Sequence, residues 1–299
     1  MHRLSPGDLA LVLVSAFLHA VWSVAIKQSG DPLCFNLLQT WLAVAGLAAV
    51  APWIAWHAIP LEVWGLLALT GPAHGLYLYW MSRAFEHGDL SLVYPIARST
   101  PAFLPLVAVP LFGESLHPIG VLGIAVVVGG IWLVHVGPAS REKRRERFAG
   151  AATRFAYLTL LATVVYSLVD KAAMAAFAAS AWPTPLPRSL AYSLLLYLAH
   201  GVFFTPLVLR SRGMAALRDV VRMDLARATA AALISVVGYA LILSALETSL
   251  VSYVVTVRQS SVLFAVVLGA LWLRERPGRP RVLGAAVTVL GVAMIAWFS

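Results

Sequence analysis

The sequence predicts an all-α integral membrane protein of ten transmembrane helices, arranged as two inverted repeats of five. Composition is the first support: of 299 residues, 61% are apolar and 12% are Asp, Glu, Lys or Arg. Soluble domains average about 45–50% apolar and about 25% charged, so a water-soluble enzyme of this length is excluded. The spacing of the apolar runs is the second support, and self-similarity between the two halves is the third. Ten spans of ~20 residues use ~200 residues, which leaves no room for a separate soluble domain.

The first five runs lie at about 8–27, 33–55, 63–85, 91–112 and 118–136, and five more at about 153–176, 189–209, 226–247, 250–272 and 281–298. In lipid every backbone polar group must be satisfied within its own segment, so runs of this length are helices. The run at 9–26 has no small-residue cleavage site behind it and reads as a retained span. The tight turn Glu247-Thr248-Ser249 separates the eighth and ninth spans. Residues 1–137 form the first five-helix unit, 138–152 a basic connector and 153–299 the second unit.

The net charge of +9 does not point to nucleic acid, because the cations sit in short loops and not on a face with interleaved aromatics. Loops after the odd-numbered spans hold seventeen Lys and Arg, six of them between Arg141 and Arg154, while the opposite side holds only Arg3 and Arg188. The positive-inside rule places the odd loops in the cytoplasm and both termini outside. The connector cations then read as a solvated stop-transfer linker.

Self-similarity is the strongest internal signal. A shift of 161 positions lays Glu86 on Glu247, Ser99 on Ser260, Glu114 on Glu275, Gly123 on Gly284 and Gly130 on Gly291. Near the front, a shift of 144 lays Trp22-Ser23 and Lys27 on Tyr166-Ser167 and Lys171. A unit with an odd number of spans places its second copy upside down. Inverted repeats are a transporter architecture, with the site near the midplane between the halves.

The run His19-Ala20-Val21-Trp22-Ser23 with Lys27 resembles the opening span of EamA-type members of the drug/metabolite transporter superfamily. The stretch from Gly88 through Tyr94-Pro95 to Arg98, and the span ends Phe112-Gly113-Glu114 and Leu273-Arg274-Glu275, are similar to the same family. The resemblance implies a ten-helix, inverted-repeat secondary carrier in the cell (inner) membrane that moves small metabolites, often outward, without ATP. The chain has no G-x-x-x-x-G-K-[ST] phosphate loop, and no cofactor is expected.

Ionisable side chains at membrane depth cost at least about 2.5–3.5 kcal/mol on insertion scales, so each needs a reason. Arg98 lies near the middle of span four, and Arg258 takes the matching place in span nine within one residue of the 161 shift. Two guanidiniums facing one cavity could grip an anion through planar two-point hydrogen bonding. A structural pair with Glu86, Glu247 or Asp170 is the alternative. Tyr94, Ser99 and Thr100 near one arginine, and Gln259, Ser260 and Ser261 near the other, offer further hydrogen bonds.

Trp22 with Ser23, and Tyr166 with Ser167, could wall the cavity from spans one and six. Asp170 is the first candidate for proton coupling. His19 could relay protons, although a helix-contact role is favoured for it, and the His74, Tyr77 and Trp80 stripe reads as core packing. Pro95, Pro101, Pro105 and Pro110 bend or break span four. The repeated glycines let helices approach closely, and Glu114 and Glu275 read as headgroup anchors or caps.

The leading expectation is a secondary exporter of a small polar, anionic metabolite, working with H⁺ or a counter-substrate and with no enzyme activity. Proton-coupled efflux of cationic drugs or amino acids is the alternative, but span one lacks the acidic residue that it wants. An intramembrane enzyme would need clustered ligands such as H-E-x-x-H, whereas the eight histidines are scattered and Cys34 stands alone. No metal site is therefore expected. A receptor would not call for arginine at midplane in both halves.

Overall fold

A computed structural model describes residues 4–87, 93, 96–135, 150–271 and 278–298, all helix or connection with no strand among them. Helix α1 (Pro6–Lys27) starts where the Ser5 hydroxyl accepts the Asp8 amide at 3.0 Å, with proline in the first turn. Helix α2 (Pro32–Val50) is capped by the Asp31 carboxylate, which accepts the amides of Leu33 and Cys34. Such caps satisfy backbone donors that have no partner inside the helix. Two 3₁₀ turns, Ala51–Trp53 and Trp56–Ala58, lead to α3 (Leu61–His87). Then follow α4 (Thr100–Phe112), α5 (Pro118–His135), α6 (Ala151–Ala178) and α7 (Arg188–Thr248). Helices α8 (Val251–Arg258), α9 (Ser261–Leu271) and α10 (Arg279–Phe298) complete the described residues.

Among the described residues, six segments are long and apolar enough to cross a membrane, and the apolar helices Thr100–Phe112 and Pro118–Val134 are shorter. The protein is an all-helical, multi-pass membrane protein. The 138–152 connector lies mostly outside the described residues, as does the Leu273-Arg274-Glu275 motif.

Two expectations about helix limits need correction. The loop between spans seven and eight is helical, so that α7 runs for 61 residues and departs from helical geometry only at Gly213, with φ 77° and ψ 170°. The left-handed φ there suits glycine, which has no Cβ to clash. Beyond the bend, Val220 and Ala228 join a buried apolar cluster with Leu33 and Phe35 of α2. Arg212 also ties the bend to Asp31 (2.8 Å) and to Glu86 at the end of α3.

The second correction concerns span nine, which is broken part-way along just as the proline-rich span four is. The helix stops at Arg98 and resumes at Thr100. In the second half α8 ends at Arg258 and α9 starts at Ser261. The Ser99 amide donates to the Ile96 carbonyl at 3.1 Å, and the Ser260 amide to the Val257 carbonyl at 3.0 Å. Both residues of each pair are related by the 161 shift, so the two breaks are the same local structure. Broken backbone at membrane depth is tolerated where it is buried in protein or lines a cavity.

Helix pairing maps onto itself when the halves are exchanged. Helix α3 packs on α6 as α1 packs on the second arm of α7, where the Ser15 hydroxyl donates to the Gly238 carbonyl at 2.5 Å. Helix α4 meets α8, α2 meets the first arm of α7, and α5 meets α10. At the last seam Gly123 faces Gly291 and Gly130 faces Gly284 backbone to backbone, as the glycine repeat leads one to expect.

Glu114 is 5% exposed and serves as a cap, one of the two roles its place at a span end suggests. Its carboxylate accepts the Val251 amide at 2.6 Å and the Ser252 hydroxyl, so one half caps the helix of the other half that ends in Arg258. Leu250, the residue preceding that helix, supplies no side-chain cap. Glu114→Ala is expected to cost about 2 kcal/mol, read as a lower melting temperature of the purified protein. An unchanged melt would show that the cap is dispensable.

Candidate functional site

Between the halves lies a cavity of about 100 Å³, several times the ~10–15 Å³ that one water needs. Its wall takes residues from both units: His19 and Trp22 of α1, Gln39 and Thr40 of α2, His74 and Tyr77 of α3, and Tyr166 of α6. The two arms of α7 add His200 and Tyr239, and the two breaks add Arg98 and Arg258. No carboxylate stands among the described wall residues.

The arginines are held differently. Arg98 Nη2 donates to His19 Nε2 at 2.5 Å. A guanidinium can only donate, so His19 accepts with a bare Nε2 and carries its proton on Nδ1. The His19 ring stacks on Trp22 at 4.9 Å, and Trp22 Nε1 donates to Gln39 at 2.8 Å. Arg258 lies with Cζ 5.3 Å from the centre of the Tyr239 ring, and its Nε is buried without a hydrogen-bond partner. Neither Glu86 nor Glu247 reaches the cavity wall. Glu86 instead binds Arg83 at 2.6 Å and Arg212.

Asp170 is fully buried behind the wall and held by four side-chain hydrogen bonds. Its Oδ1 accepts from Thr70 at 2.8 Å and Tyr192 at 2.9 Å. Its Oδ2 accepts from His74 at 3.0 Å and from the Tyr239 hydroxyl. Lys171, next in sequence, turns away to the carbonyls of Leu246 (2.6 Å) and Ser249 (3.0 Å).

Of the residues expected at the site, Arg98, Arg258, Trp22 and Tyr166 lie on the wall together. Tyr94 lies outside the described residues. Ser23 turns to its own helix and donates to the His19 carbonyl at 2.8 Å. Ser260 does the same toward Val257 at 2.8 Å, and Gln259 toward Val255 at 3.3 Å. Ser99 accepts from Trp132 at 3.0 Å, and Ser167 is buried off the wall. Ser23, Gln259 and Ser260 therefore serve their own helices, because polar side chains beside a backbone carbonyl bond to it first. The equivalent hydroxyls of Thr100 and Ser261 are buried without a hydrogen-bond partner.

His74 and Tyr77, expected in core packing, stand on the wall, with the His74 ring 3.9 Å from that of Tyr166. Gln39, Thr40, His200 and Tyr239 escaped the sequence reading. A usable signal existed: the 161 shift carries His74, Tyr77 and Leu78 onto Ser235, Gly238 and Tyr239, and all six line the cavity.

A sequence model of the EamA-like transporter family matches residues 7–136 and again residues 155–297. The chain belongs to the EamA-like transporter family. The two matches fall on either side of the basic connector. This EamA-like transporter is also 31% identical over 143 residues to the probable 4-amino-4-deoxy-L-arabinose-phosphoundecaprenol flippase subunit ArnF of Aeromonas hydrophila subsp. hydrophila. The aligned stretch is 47% of this chain and 90% of that relative, so one half of the EamA-like chain corresponds to nearly a whole subunit. A protein solved by crystallography shares the fold, with a TM-score of 0.69 over 99% of both chains at 14% identity.

Proposed function

We propose that this transporter is a secondary carrier of small anionic metabolites, built as ten spans in two inverted five-helix repeats and working by alternating access. The observation that carries this reading is the pair of equivalent helix breaks, each of which delivers an arginine to one cavity shared by both halves. An unpaired cation at membrane depth is expensive, so the arginines need partners in every state. His19 and the Tyr239 ring serve in the empty cavity. A phosphate or carboxylate replaces them with charge-assisted hydrogen bonds, and the positive N-terminal ends of α4 and α9 beside the breaks favour the same charge. A cationic drug would meet two guanidiniums and no carboxylate on the described wall, which speaks against that alternative.

The relative is named for a phosphoundecaprenol-linked sugar, whose phosphate is the same chemistry on a lipid anchor. A lipid-linked phosphate is therefore the second reading. A thermal-shift screen of the purified protein separates them, because a ligand stabilises the state it binds by RT ln(1 + [L]/Kd). Soluble phosphates and carboxylates are expected to raise the melting temperature. Stabilisation by cationic compounds alone would end the anion reading, and stabilisation by lipid-linked phosphates alone would favour the flippase.

The charge bias places both termini on the outer face of an inner membrane. A C-terminal alkaline phosphatase fusion is then active, whereas a fluorescent C-terminal fusion, which needs the cytoplasm, would reverse the orientation.

A further inference from the structure

Asp170 is a carboxylate with no exposed surface in a membrane-spanning helix, and no Lys or Arg side chain binds it among the described residues. Its two oxygens accept four hydrogen bonds, from Thr70, Tyr192, His74 and Tyr239. Those bonds fill the lone-pair positions of a carboxylate, so a proton could settle on Asp170 only by displacing a donor. His74 is different. Its Nε2 donates to Asp170, its ring lies on the cavity wall, and its side chain is 12% exposed. An imidazole whose one nitrogen donates to a carboxylate keeps its other nitrogen able to accept a proton. His74 Nδ1 is thus the place where a proton arriving from the cavity can be held.

We propose that the His74–Asp170 pair is a proton-binding site, with the proton taken up at His74 Nδ1 and the resulting imidazolium paired to the Asp170 carboxylate. No other bond is made or broken.

Every packed element contributes groups that bear on it. Helix α6 supplies Asp170 and Tyr166, and α7 supplies Tyr239, Tyr192, Tyr197 and, at 6.2 Å between ring centres, His200. Helix α3 itself adds Tyr77, and α8 adds Arg258 above the Tyr239 ring. Across the cavity stand Arg98 and the neutral His19 of α1, while α2 brings only the uncharged Asn36, Gln39 and Thr40. Positive charge on the two arginines opposes the proton, and a bound anion removes that opposition. Tyr239 is the physical link, since its hydroxyl binds Asp170 and its ring lies under Arg258. Anion and proton therefore favour each other reciprocally. This last step rests on the anion-carrier reading, whereas the proton site does not.

The test is nitrogen NMR of the full chain in detergent with labelled histidine, the His74 signals being assigned by their loss in His74→Gln. Between about pH 8 and about pH 5, the usual histidine range, Nδ1 is expected to pass from bare to protonated while Nε2 keeps its proton throughout. Asp170→Asn, checked for folding by its melt, is expected to lose that uptake from the same range. A purely structural hydrogen bond predicts that wild-type His74 stays neutral across the range. That result alone overturns the proposal, even if Asp170→Asn does not fold. Inorganic phosphate at fixed pH is then expected to add proton to His74 in the wild type and not in Arg258→Gln. If phosphate binds by thermal shift yet leaves His74 unchanged, the link between the sites is overturned. If phosphate fails to bind while acid still protonates His74, the proton site stands and phosphate is rejected as a ligand.

Discussion

Gly130→Val and Gly284→Val are each expected to leave little or no folded, monodisperse protein. A Cβ on Gly130 would stand 2.4 Å from Thr288 Oγ1, 2.7 Å from the Thr288 amide nitrogen and 2.8 Å from the Gly284 carbonyl oxygen. On Gly284 it would stand 2.5 Å from the Val134 nitrogen and 2.7 Å from the Gly130 oxygen. Most of these atoms are backbone and cannot swing aside, so α5 and α10 would have to part along the seam. In lipid no hydrophobic force presses helices together, and close van der Waals contact through small residues does that work. Overpacking costs about 1–3 kcal/mol at one site and occasionally more, and the branched valine adds two further atoms to the clash. Gly129, one residue away, would meet nothing within 4 Å of an added Cβ. Gly129→Ala should therefore fold as wild type, with about 1 kcal/mol gained from helix propensity. Size-exclusion profiles and melting curves decide this; a wild-type melt for Gly130→Val would show that the seam is not tight.

Arg98→Gln and Arg258→Gln are expected to weaken binding of the best-stabilising anion by roughly 30- to 5,000-fold each, the equivalent of about 2–5 kcal/mol for losing one partner of a desolvated charge pair. Both variants should retain whatever affinity exists for neutral compounds. Arg→Lys at either position keeps the charge but loses the planar fork, so an intermediate loss is expected. Melting without ligand is the folding control, and it matters most for Arg98, whose removal leaves His19 Nε2 without its donor. Should both Gln variants bind that anion as the wild type does, the arginines hold the helix breaks together and the substrate is not recognised by its charge.

Membrane residence, the helical class and the two related halves were legible in the chain, because each depends on quantities that accumulate over many residues. Sixty-one per cent apolar composition, ~20-residue runs and a shift of 161 do not need any one contact to be known. The two arginines were legible for a related reason: a cation in an apolar run is conspicuous whatever it touches. The glycine seam followed from spacing alone, since positions seven apart share a helix face.

Only the tertiary structure decided which polar groups meet. Ser23, Ser99, Ser167, Gln259 and Ser260 looked available in the sequence, yet a short polar side chain has backbone and neighbouring side chains within reach before any cavity. His74 and Tyr77 looked like packing, because a stripe of aromatics at helical spacing has the same sequence whether it faces lipid, a core or a wet pocket. The prolines of span four announced a bend or break, whereas the proline-free run at 250–272 hid one, for two non-helical residues leave hydropathy unchanged. Asp170 was found as a lone acid, but its four donors come from α3 and both arms of α7, up to a hundred residues away. Composition and period set the fold class because they act through solvent, averaged along the chain. The chemistry of the cavity depends on single hydrogen bonds between distant residues, and those exist only once the helices are packed.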